Sequence, residues 1–276
     1  MADVTMADIQ KLRKLTGAGM MDCKKALVEA EGNFDKAVEL IRERGKAIAA
    51  KRADREATEG VVLAAKNAEG NRVGMLSLSC ETDFVAKNAD FVALAQKVLD
   101  AAVKEGVKEL DALKAMPLEG KTADTLVQEF SGVTGEKMEL AYYAVVESPS
   151  VTFYIHPGNK LASIVGGSKA GADEAVLKDV AMQIAGMNPV AVDADSVPEE
   201  VKKKEFEIGR EQARNEGKPE KMLDKIAEGR LNKFLKENTL MAQEFVKEGK
   251  ITVEQYLAQK DKELKIQAFA RFSLQD

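Results

Sequence analysis

The chain has 276 residues, enough for roughly two domains of about 100 to 200 residues each and for a sizeable core without disulfides. It carries one histidine (His156), two cysteines 57 positions apart (Cys23 and Cys80) and no tryptophan, which excludes a zinc site, since zinc draws on closely spaced Cys and His pairs. Lys plus Arg number 41 against 46 Asp plus Glu, and aromatics are 5%: the wrong sign for neutralising many phosphates, and too few rings to stack single strands.

Residues 1–55 read as a small helical unit. Ile9, Leu12 and Leu15 mark an amphipathic segment, and Thr16-Gly17-Ala18-Gly19 breaks it. Helical spacing resumes from Met20 to Ala30, breaks at Gly32-Asn33 and continues through Phe34, Ala37, Val38 and Ile41. Three short helices joined by glycine turns are expected. The end of the unit, Arg42 to Arg55, holds six basic and two acidic residues and reads as a solvated helix leading into a linker.

The pattern changes near Gly60. Val61-Val62-Leu63 and Val73 to Leu78 flank the turn residues Asn67 to Asn71, which predicts a hairpin. A helix follows from about Asn88, with Phe91, Leu94, Ala95, Val98, Leu99 and Ala102 on one face. Ser79 to Lys87 is then an exposed connection between sheet and helix, a place where function often sits. Ala123 to Glu136 reads as helix and Lys137 to Glu147 as strand. A second hairpin, Val151 to Ile155 and Lys160 to Val165 around Pro157-Gly158-Asn159, again precedes a helix, from about Asp173. The recurrence predicts an α+β core of two related hairpin-plus-helix subdomains.

From Glu199 to Glu237 there are eleven basic and ten acidic residues, and Asn215 to Pro219 interrupts the helical pattern. Two antiparallel helices projecting as a coiled coil are expected. Beyond them come a loop, a short helix near Val253 to Gln259 and a strand with Ile266, Phe269 and Phe272. The domain boundaries implied are 1–55, 56–147, 148–197, 198–237 and 238–276, with the core's second subdomain completed after the helical hairpin.

Chemistry is sparse. No apolar run is long enough to span a membrane, and two lone cysteines with no apolar h-region near the N-terminus lead to the expectation of a reducing cytoplasm. Gly17-Ala18-Gly19 follows a helix and is continued by Asp22, which suits a turn rather than a dinucleotide loop, and Gly166-Gly167-Ser168-Lys169 lacks the spacing of a phosphate loop. Cys80 and His156 lie at hairpin ends and are the candidate thiol and base of an alternative, enzymatic reading. A third reading makes the N-terminal unit a generic peptide or ubiquitin-like binding module on a scaffold. From spacing alone, Thr82 caps a short turn and Phe84 packs beneath the loop; the alternative is an aromatic beside the Asp83 carboxylate at an exposed tip. Met20 and Met21 are either core filler or an adaptable contact surface.

The stretch Leu12-Arg13-Lys14-Leu15-Thr16-Gly17-Ala18-Gly19-Met20-Met21-Asp22-Cys23-Lys24-Lys25-Ala26-Leu27 resembles the N-terminal signature of the elongation factor Ts family. Cys80-Glu81-Thr82-Asp83-Phe84-Val85-Ala86-Lys87 resembles its second. His156-Pro157-Gly158, Glu228-Gly229-Arg230 before Lys233-Phe234, and Phe269-Ala270-Arg271-Phe272 add to the likeness, which covers essentially the whole chain. Ser77, Ser79, Tyr142, Tyr143 and Glu244 depart from the family's usual pattern. The resemblance implies a guanine-nucleotide exchange factor for elongation factor Tu, bound in its GDP and nucleotide-free forms. It implies no catalytic residue, metal or cofactor of its own, and neither nucleic acid nor membrane as a direct partner. It further implies a ubiquitin-associated-like N-terminal unit and a coiled-coil protrusion. Partner contacts are expected from Arg13, Met20 and Met21, from Thr82, Asp83, Phe84 and Val85, and from His156, with Phe84 wedging into the partner and displacing the elements that hold magnesium and the phosphates.

Overall fold

Most helices, though not those starting at Met20, Leu110, Glu199 and Leu223, begin at capping side chains in the computed structural model, which describes residues 4–276. α1 (Met6–Thr16) starts at Thr5, whose hydroxyl accepts from the Asp8 amide while the Asp8 carboxylate accepts from the Thr5 amide, and it ends at Gly17 with φ of 70°. α2 (Met20–Glu29) and α3 (Phe34–Lys51, capped by Asn33) complete a unit that encloses Ile9, Leu12, Cys23, Ala26, Leu27 and Ala37.

β1 (Glu59–Lys66) and β2 (Arg72–Cys80) form an antiparallel hairpin whose turn is closed by the Asn67 side chain, which accepts from the Asn71 and Arg72 amides at 3.1 and 2.9 Å. A one-turn helix, α4 (Asp83–Ala86), precedes α5 (Ala89–Glu105), which Asn88 caps. Next come α6 (Leu110–Ala115), a two-residue hairpin of β3 (Pro117–Leu118) and β4 (Lys121–Thr122), α7 (Ala123–Thr134) and β5 (Met138–Glu147). The second half holds β6 (Ser150–Ile155), β7 (Leu161–Gly167), α8 (Glu174–Met187), α9 (Glu199–Asn215), α10 (Leu223–Asn238), α11 (Val253–Lys260) and β8 (Ile266–Ser273). The result is a mixed α+β fold with small antiparallel sheets, ordered β1-β2-β5 and β6-β7-β8.

Alternation along the strands sorts the core. Leu76, Leu78 and Cys80 of β2 pack with Phe91, Ala95, Val98 and Leu99 of α5, whereas Val73 and Met75 pack with Ala162 and Ile164 of β7. On β7, Val165 turns to Val176, Leu177 and Val180 of α8. The layers therefore run helix, sheet, sheet, helix. The Tyr142 ring stacks on Phe272 at 4.3 Å and joins β5 to β8 across the interface. A Cβ on Gly166 would lie 2.3 Å from Ser148 Oγ, so this glycine serves the close approach of the sheets.

The departures from the family pattern have structural places. Ser77 and Ser79 are buried on β2, and the Tyr143 hydroxyl donates to the Val107 carbonyl at 3.0 Å. The Glu244 carboxylate accepts from the Lys250 amide at 2.8 Å and closes the loop before α11.

α9 and α10 lie against each other and bury Gly209, Ala213, Leu223 and Ala227 between them. Arg230 ties them by donating to both Glu216 oxygens at 2.8 Å and to Gln212 at 3.1 Å. The expectation for Arg42 to Arg55 needs correction. α3 runs to Lys51 and its distal half lies on α7, with Gly45 buried there. A Cβ on Gly132 would stand 2.1 Å from the Gly45 Cα, so the two backbones meet where neither residue has a side chain.

Gly132→Ala tests this crossing. Helix propensity alone favours alanine by about 1 kcal/mol, while forcing the backbones apart costs about 1 to 3 kcal/mol. A lower urea midpoint is expected, and a raised one would refute the crossing.

Candidate functional site

Ser79 and Cys80, expected in the exposed connection, belong to β2 and are buried. The turn proper begins at Glu81. Thr82 is extended, with φ −127° and ψ 155°, and is held by Glu136: its amide donates to Oε2 at 3.0 Å and its hydroxyl to Oε1 at 2.6 Å. Val85 and Ala86 turn toward the core beneath α4. Because each helical residue rotates about 100° from the last, placing these two inward leaves Phe84 outward, 83% exposed. Spacing alone puts Phe84 beneath the loop; the structure reverses this, and Val85 takes the inward position.

Asp83 pairs with Lys87 at 2.6 Å, and that hydrogen bond holds its carboxyl below the usual range, with Lys160 adding to the effect. Lys160 reaches Glu59 at 2.8 Å, at the start of β1. The β6–β7 turn is seated on the same strand, the Val62 amide donating to the Asn159 carbonyl at 2.6 Å. The turn that carries His156 is thus fixed on β1, with Lys160 at its end within electrostatic reach of Asp83. His156 is exposed, and its Nδ1 lies 3.0 Å from the Tyr154 hydroxyl.

Arg13, Met20 and Met21 are exposed on α1 and α2, with Met21 63% accessible. The methionines therefore form surface, not core filler, and Leu15 beside them is exposed too. They sit on the outside of the N-terminal unit, whose packing cluster is separate from the one under α4.

Cys80 and His156 do not form a thiol–base pair. The Cys80 thiol is buried and donates to the Thr82 carbonyl at 3.2 Å; burial, with the Glu136 charge, pushes its pKa up to about 12. His156 is engaged with Tyr154 instead.

One residue of the site lies outside the contacts expected from the sequence. Glu81, with its side chain 13% exposed, accepts from the Lys137 amide at 2.6 Å, from Arg52 Nη1 at 2.8 and 2.9 Å and from Arg55 Nη1 at 3.4 Å. Burial pushes the carboxyl up, but the Lys137 amide and Arg52 outweigh it and hold the pKa below the ordinary 4.5. The opposite charges of Arg52 and Glu81 were its only trace in the sequence, 29 positions apart.

Residues 81–276 match the protein-family model described as Elongation factor TS. The chain is 49% identical over 272 residues to "Elongation factor Ts" of Porphyromonas gingivalis, covering 98% of each chain. It is 47% identical over 271 residues to the protein of that name from Azobacteroides pseudotrichonymphae, again with 98% of each covered. With the Christiangramia forsetii protein it shares 48% over 276 residues, covering 99% of this chain and 100% of that one.

Two outcomes follow from the titrations. At pH 8 a thiol of pKa about 12 is ionised in on the order of 10⁻⁴ of molecules, so iodoacetamide should leave Cys80 unmodified until the chain is denatured; rapid alkylation of the folded chain would contradict its burial. Glu81 has a lowered folded pKa, so its stabilisation is complete above 4.5 and is lost as pH falls through the lower folded value. Glu81→Gln should accordingly flatten the acid limb of the stability profile, and an unchanged limb would show that Glu81 contributes nothing to it.

Proposed function

This chain belongs to the elongation factor Ts family, and from that premise we propose that it is a guanine-nucleotide exchange factor that binds elongation factor Tu carrying GDP, opens the magnesium and phosphate site, and releases GDP so that GTP can load. A role in translation elongation comes with the family. The exchange reading is carried by one observation: Phe84 stands 83% exposed on a turn whose preceding residue is fastened by two hydrogen bonds. A large apolar side chain held in water on a fixed support is suited to enter another protein.

The division of labour proposed with it has an N-terminal ubiquitin-associated-like unit over 1–55 and core subdomains over 56–147 and 148–197. Residues 238–276 complete the second subdomain, and the helical hairpin 198–237 protrudes as a coiled coil. Thr82 shapes the turn and Val85 anchors it, while Asp83, Phe84, His156, Arg13, Met20 and Met21 meet the partner. No helix among the described residues is long and apolar enough to cross a membrane.

Magnitudes require several contacts. Burying Phe84 contributes about 1.5 to 3 kcal/mol, whereas weakening GDP about ten-thousandfold takes about 5.5 kcal/mol of preference for the emptied partner. Exchange is reciprocal coupling: what the factor gains on the empty partner is what GDP loses. The exposed methionines and the His156 turn supply the remaining surface, and the step needs no nucleophile.

The test is release of a fluorescent GDP from elongation factor Tu. The chain should accelerate it, and Phe84→Ala should reduce the acceleration by about 10- to 100-fold while leaving the melting temperature within about 1 °C, since an exposed side chain adds little to stability. Release that ignores the chain would refute the exchange reading, and a large fall in melting temperature would return Phe84 to the core.

A further inference from the structure

Glu81 stands inside the second signature, next to the exposed turn, yet its side chain points away from that turn. Its carboxylate lies in the junction between the end of α3 and the α7–β5 connection, where the Lys137 amide, Arg52 and Arg55 converge on it. The next residue, Thr82, is fastened by its amide and hydroxyl to Glu136. Two consecutive residues leading into α4 are therefore bolted to two consecutive residues, Glu136 and Lys137, and to Arg52, the residue that closes α3. A carboxylate largely removed from water and met by charge-assisted donors is the strong kind of ion pair, unlike an exposed one.

α3 connects this joint to the N-terminal unit. Its first half packs on α2, which carries Met20 and Met21, and its distal half touches α7 through the Gly45–Gly132 crossing. With the joint closed, the methionine surface and Phe84 have a fixed separation. With it open, the crossing on α7 is left as a single pivot, the separation is no longer fixed, and the second contact loses effective concentration once the first has formed.

We propose that Glu81 is a positioning residue for nucleotide exchange: its carboxylate clamps Arg52, so that the Met20–Met21 surface and the Asp83–Phe84 turn reach elongation factor Tu as one rigid body. This rests on the exchange-factor reading above. Loss of the clamp reduces exchange by uncoupling two contact surfaces, neither of which it touches.

The experiment is a cycle of GDP-release rates with the full chain: native, Glu81→Gln, Arg52→Ala, Arg52→Lys, a Met20→Ala/Met21→Ala double variant, and that double variant combined with Glu81→Gln. Glu81→Gln and Arg52→Ala should each slow release about tenfold, with Arg52→Lys recovering part of the loss, and in the Glu81→Gln background the methionine changes should cost at most about a third of their native fold-effect. Spin labels at Lys25→Cys and Lys104→Cys, both exposed positions, should give a narrow distance distribution that broadens in Glu81→Gln. Should Glu81→Gln not fold, Arg52→Ala carries the same cycle and labels. Native-like rates, effects that multiply independently, or an unchanged label distribution overturn the clamp. A native chain that does not accelerate release overturns the exchange reading itself, and the label distribution then still reports whether the joint holds the unit.

Discussion

Each three-stranded sheet has two faces to bury, and the rest of the architecture follows from that. Helices cover one face, α5 with α6 and α7 on the first sheet and α8 on the second, so the opposite faces must cover each other. This is why β2 is apolar on both sides, with Leu76 and Leu78 toward α5 and Val73 and Met75 toward the other sheet. It also explains residues that look odd in a strand: Gly166 permits the approach, and Tyr142 over Phe272 fills the interface.

Stacking the sheets has a functional result. It seats the β6–β7 turn, which carries His156, on β1, where the Val62 amide meets the Asn159 carbonyl, and so brings Lys160 within electrostatic reach of Asp83 in the turn after β2. Two segments more than seventy positions apart become one surface. Neither hairpin alone would present it.

The exposed phenylalanine depends on a different kind of force. An isolated turn of four residues has no intrinsic stability, and Phe84 in water adds none. α4 is held instead by polar attachment at its start, Thr82 to Glu136 and Glu81 to Arg52 and Lys137, and by Val85 and Ala86 beneath it. Fixing the support before binding spares the ordering cost that a mobile loop would incur on association. The glycine crossing of α3 and α7 extends that rigidity toward the N-terminal unit.

The sequence by itself determined the longer helices, the two large hairpins and the family, but not α6 or the β3–β4 hairpin. Caps at Asn33, Asn88 and Asp173, the turn residues Asn67 to Asn71 and the break before Pro219 act over a few positions, so local pattern is enough to read them. The two signatures likewise drew attention to residues 82–85 and to Met20 and Met21. Tertiary structure decided which way those residues face. A helix of four residues is too short to display a period, so spacing wrongly sent Phe84 inward; only the core beneath Val85 and Ala86 turns it out. The basic run ending at Arg55 looked solvated because charge pattern within one segment does not name the segment it will meet. Arg52 found Glu81, 29 positions on, only because α3 lies across α7, and that crossing depends on two distant glycines coming into contact in the folded chain.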